Sequence, residues 1–166
     1  MKKIMTGRGY PLGLIKHNGG TYYQLELRGR NVMLTRDELT AWATLSASME
    51  QSEIDGSLAL KTLIEEGIVV AANSINDLLN RIMSSHVIRQ GIGVQRNGYG
   101  HIRVMDKDVP ITESQMRVWR MSNGRTSIAE MYEEFFGEEE AVSQEAEEQF
   151  ARDLLYLLQQ ETIYLD

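Results

Sequence analysis

The side chains in this sequence that could move a proton or hold a metal are its histidines and carboxylates, because it contains no cysteine. That absence removes disulfides, thiolate zinc sites and a cysteine nucleophile together, and it fits a reducing, cytoplasmic setting. His17, His86 and His101 fall in separate segments, with no second histidine or carboxylate at ligand spacing, so no metal site is expected. The carboxylates crowded between residues 130 and 148 lack the glycine-centred spacing of a calcium loop. Gly91-Ile92-Gly93 precedes a strand pattern instead of opening a helix, so it does not cradle a phosphate. These residues point away from an enzyme and from any cofactor, and toward a protein whose work is binding.

Charge narrows what could be bound. Residues 1–97 hold 11 Lys/Arg against 9 Asp/Glu, whereas residues 98–166 hold 6 against 15, which accounts for the net charge of −7. Nucleic-acid binding draws most of its affinity from cations that neutralise phosphates, so the second half disfavours a duplex and only the first half stays a candidate. There the basic residues to consider are Arg28, Arg30, Arg36 and Lys61. No apolar run approaches the ~20 residues of a membrane span, and Lys2-Lys3 is not followed by a signal-peptide core.

The elements that must position these residues come in two similar sets. Val32, Leu34, Thr35, Leu39 and Trp42 align without a gap on Val109, Ile111, Thr112, Met116 and Trp119, every pair separated by 77 positions. Such self-similarity marks an internal repeat. In the first set, Asn18-Gly19-Gly20 supplies the positive φ of a hairpin turn within residues 11–27. Thr35 with Glu38 then forms a capping box at the start of a helix expected from Asp37 to about Met49. Its inner stripe is Leu39, Trp42, Leu45 and Met49, with Trp42 in the core. A short helix to Gly56, a helix over 57–66 and a strand at Ile68–Val70 complete the first repeat, residues 1–72.

Residues 73–90 read as a connecting helix, and residues 91–166 as the second repeat. In it Asn97-Gly98 marks a hairpin, Pro110 belongs to an edge strand, and Thr112 with Gln115 repeats the capping box. The helix of Trp119 stops at Asn123-Gly124, and Thr126 or Ser127 caps the next. A solvated acidic loop precedes a long helix to about Gln160 and a closing strand at 162–165. The fold class is therefore α+β, two tandem winged-helix-like repeats, each a short β-hairpin plus three helices.

The stretch ValProIleThrGluSerGlnMetArgValTrp, then SerAsnGlyArgThrSerIleAlaGluMet, then a last helix ending LeuLeuTyrLeuLeuGlnGln, resembles the PqqD-like family of peptide-recognition modules over about 65 residues. The first repeat matches less well, since no Asn-Gly turn follows Leu45. The resemblance implies a peptide added as a strand to the sheet edge, with the last helix as the other wall of its groove. In this chain those walls would be Ile102, Arg103, Val104 and Met105 on one side and Phe150, Leu154 and Leu158 on the other. The expected function is a non-catalytic adaptor for a peptide or protein, with a homodimer left open. The alternative is a DNA-binding transcriptional regulator acting through the first half.

Overall fold

The computed structural model describes residues 1–96, 99–137 and 141–166, and it divides into a unit of Met1–Leu78 with Asp166 and a unit of Leu79–Leu165. The fold is mixed α+β, with seven helices and twelve strands in four three-stranded sheets among the described residues. The Asn97-Gly98 turn and the start of the acidic loop, 138–140, lie outside the described residues.

The first unit runs β1 (Lys2–Gly7), β2 (Tyr10–His17), β3 (Gly20–Leu27), β4 (Arg30–Leu34), α1 (Arg36–Ala43), β5 (Ser48–Glu50), α2 (Gln51–Gly56), α3 (Leu58–Glu65) and β6 (Val69–Ala72). The meander β2-β3-β4 turns at Asn18 and Gly19, whose φ values of 47° and 79° suit a two-residue hairpin. Thr35 caps α1 as expected, its hydroxyl accepting from the Glu38 amide while Glu38 reaches back to the Thr35 amide at 2.8 Å. Met5, Leu25, Leu34, Leu63 and Ile68 form the centre of the core.

The second unit follows the same order: β7 (His86–Arg89), β8 (Ile92–Arg96), β9 (Tyr99–Val104), β10 (Lys107–Ile111), α5 (Glu113–Met121), β11 (Asn123–Ser127), α6 (Ile128–Phe136), α7 (Gln144–Gln159) and β12 (Ile163–Leu165). Thr112 and Ser127 each close a capping box, so α5 and α6 start where the sequence places them. The sheets match as well. β1 lies between β5 and β6 as β7 lies between β11 and β12, all antiparallel, and β8-β9-β10 is a second meander.

Four expectations are corrected. In each unit the expected hairpin is extended to a three-stranded meander by the strand expected before the capped helix, and the expected closing strand joins a second small sheet whose other two strands local patterns did not reveal. The helix of Trp42 ends at Ala43, and the Ala47 carbonyl accepts from the Met5 amide at 2.9 Å as the chain enters β5. Leu45 and Met49 therefore leave the helical stripe. The connecting helix, α4 (Ile75–Ile82), does not span 73–90, because 86–89 is the central strand β7. Asn123-Gly124 does end α5, but residues 123–127 continue directly as strand β11.

Candidate functional site

Of the peptide walls expected from the sequence, one lies on an inner strand and the other is largely turned into the core. β9 is the middle strand of β10-β9-β8, so the segment Ile102–Met105 offers no free ladder to an added strand. Ile102, Phe150 and Leu154 are buried at 0–1% exposure and fill the core, while Leu158 and Val104 are partly covered. Arg103 is exposed and clamped on Asp108 through two bonds of 2.9 and 3.1 Å, which hold its pKa above the ordinary value. Met105 stands 94% exposed on the β9–β10 turn with a φ of 52°. Pro110 does lie on an edge strand, but its carbonyl accepts from the Tyr156 hydroxyl at 2.8 Å, which ties β10 to α7 where a peptide would have to enter.

The basic residues of the first unit are dispersed. Arg28 sits in the β3–β4 turn, its amide donating to the Asp166 carboxylate; Arg30 opens β4, Arg36 opens α1 and Lys61 lies on α3. All four are exposed. His17 ends β2, His86 begins β7 and His101 lies on β9, 3.9 Å from Asp108. Among the described residues no three His, Asp or Glu gather as a metal site, and no helix is long and apolar enough to cross a membrane.

A different site is built around α5. Gln95, Gly100 and Ile111 form one cross-strand row of the meander, and that row makes one wall of an open groove of about 1130 Å³. α5 supplies its length and the end of α6 its other wall. The sheet can lie this close because of Gly93, whereas Gly100 leaves room for ordinary contact. A Cβ on Gly93 would sit 2.8 Å from the Trp119 ring, and one on Gly100 would touch Ile111 and Met116 at 3.4 and 3.5 Å. The Trp119 indole N–H donates to the Gln90 carbonyl at 3.0 Å, so the buried ring is satisfied and fixes the helix's rotation.

With Met116, Val118 and Trp119 turned inward, Arg117 and Arg120 are carried on the exposed flank of α5 beside Met121. The Arg117 guanidinium lies 4.3 Å over the Phe135 ring and donates to the Glu134 carbonyl at 3.3 Å. Arg89 lies 5.2 Å over Trp119 and donates to the Arg120 carbonyl at 3.2 Å. Neither the family models, the curated proteins nor the solved structures contain a match to this chain. The site is therefore read from its own residues.

Behind α5, the Ser114 hydroxyl donates at 2.5 Å to the buried Asp153, whose other oxygen accepts from Gln149 at 3.0 Å. This ties the first turn of α5 to α7. Beyond it Tyr132 meets Phe136 and Phe150 at 4.7 and 5.7 Å and donates to Glu147, backing Phe135 with an aromatic cluster. Burial first, and then the bond to Glu147, raises the Tyr132 phenol to about 12. The sequence marks Ile111, Thr112 and Met116 as repeat positions, and no groove residue as part of a binding site. The available signal was helical: an inward Met116/Trp119 stripe puts Arg117 and Arg120 on one flank.

Proposed function

We propose that the protein is a non-catalytic, cytoplasmic adaptor built of two winged-helix-like repeats, which binds a peptide segment of a partner protein in the groove beside α5. The order helix, strand, helix, helix, strand after a three-stranded meander supports the winged-helix reading in both units, as does the sequence likeness to PqqD-like modules. The groove itself carries the functional reading. It is open and lined by Ile111, Met116, Met121 and Phe135 together with seven polar or charged residues, a mixed composition suited to an amphipathic extended or helical segment. Methionines adapt to varied side chains, and the strand row opposite α5 gives the segment a firm wall.

This places the peptide on a different face from the one implied by the family likeness, where β10 and α7 are bridged by Tyr156. The test is selection of 12-residue peptides from a random display library on the full chain. Enriched peptides should lose binding at least about tenfold when the exposed wall residue is filled by Gln95→Trp, and keep it in Leu58→Glu on the first unit. Selection that yields no peptide sensitive to Gln95→Trp overturns the reading. Salt-sensitive retention of DNA fragments, lost when Arg28 and Arg30 are replaced, would put the regulator reading in its place.

A further inference from the structure

Resting on the adaptor reading, we infer that the segment taken by the groove is acidic, with carboxylates received by Arg117 and Arg120 and apolar residues set between them. The unit of residues 79–165 has 14 Asp/Glu for 9 Lys/Arg, so its cations have carboxylates to spare. Away from the groove they use them: Arg103 pairs with Asp108 at 2.9 Å, Arg152 with Glu148 at 3.0 Å, and Lys107 approaches Glu161 at 4.0 Å. Around the groove they do not. Arg117 and Arg89 are held by an aromatic face and a backbone carbonyl each, and Arg120 has no carboxylate partner among the described residues. Arg125, on β11, is exposed and likewise has no carboxylate partner among the described residues.

Stacking and carbonyl bonding orient a guanidinium without spending its charge, so the ordering cost of Arg117 is met before a ligand arrives. Arg120 lies one turn further on the same flank, and the two forks together suit carboxylates separated along a short segment. The acidity of the rest of the unit does not cancel this attraction, since at physiological salt charges beyond about 8 Å are largely screened. Glu113 and Glu134 also line the groove, so acids opposite those positions are repelled and the pattern read is acidic and apolar residues in alternation.

Three display pools of 12-residue peptides test this on the full chain: Leu/Phe alternating with Asp/Glu, with Asn/Gln, or with Lys/Arg. The acidic pool should bind at least about tenfold more tightly than the amide pool, as expected for charge-assisted bonds, and the preference should shrink on raising salt. Arg120→Glu should abolish or invert it, Arg120→Lys should keep part of it, and Arg152→Gln should leave it intact. Equal binding of the pools, or an acidic preference that survives Arg120→Glu, overturns the inference. Library peptides that are sensitive to Gln95→Trp yet carry no acids would sink this inference while leaving the adaptor reading in place.

Discussion

α1 and α5 begin alike and end differently. Each follows an edge strand, each starts at a threonine in a capping box, and each carries a tryptophan whose indole donates to a backbone carbonyl, of Arg8 at 3.1 Å or of Gln90 at 3.0 Å. Yet α5 buries Met116, Val118 and Trp119, while α1 buries none of its residues fully. Trp42 is half-buried and meets Tyr23 at 6.4 Å; Trp119 is 7% exposed, beneath the Gly93 backbone. Thr40 and Ala43 stand where α5 has Arg117 and Arg120, and α2, which follows β5 as α6 follows β11, ends at Gly56 without an aromatic residue. The shared elements thus preserve the frame, and the flank of the helix is where the units have parted. A repeated scaffold does not imply a repeated site.

The largest expected difference is in the tryptophans. Trp119→Ala should cost the second unit about 3–5 kcal/mol, and Trp42→Ala should cost the first roughly half as much, because less area leaves the core. Urea unfolding of each variant, followed by the amide resonances of the unit that carries the substitution, measures both; equal losses would erase the distinction. The glycines sharpen it. Gly93→Ala pushes on the buried Trp119 ring and should cost about 1–3 kcal/mol, while Gly7→Ala meets the half-buried Trp42 at 2.9 Å and should cost less, since that ring has room to shift.

The capping boxes should not discriminate. Thr35→Ala and Thr112→Ala should each cost about 1 kcal/mol, since the same pair of bonds is lost at two exposed helix starts, and a twofold inequality would argue against equivalent caps. Smallest is a pH effect confined to the second unit. Tyr132 is held protonated to about 12 against an ordinary 10, so its stabilising contribution is complete below pH 10 and is lost as pH rises toward 12. Phenolate absorbance should record this late titration in the native chain and not in Tyr132→Phe. A Tyr132 phenol that titrates at the ordinary 10 would contradict it.

What the sequence disclosed follows from the range of the interactions. The capping boxes, the Asn18-Gly19 turn, the edge position of Pro110 and the span of α7 are each settled within a few residues, and each was legible. β5 and β11 are short and polar, and become strands through pairing with β1 and β7, which lie 35 or more residues away along the chain. Leu45 and Met49 kept a helical spacing by coincidence, after Thr44 had already closed α1. Ile102, Phe150 and Leu154 read as groove walls and are core instead, because apolar strand and helix positions look the same from sequence whether they meet a ligand or a core. The groove escaped notice for a related reason: Gln95, Arg120 and Phe135 come from three elements, and only the tertiary fold assembles them.

Amide chemical-shift mapping of the full chain, titrated with a peptide from the Asp/Glu-Leu/Phe pool, tests the central claim most directly. The account predicts saturable shifts at Gln95, Gly100, residues 113–121 and Phe135, with α1 unmoved. Shifts centred on α1 and β4, or none that saturate along α5, would contradict it.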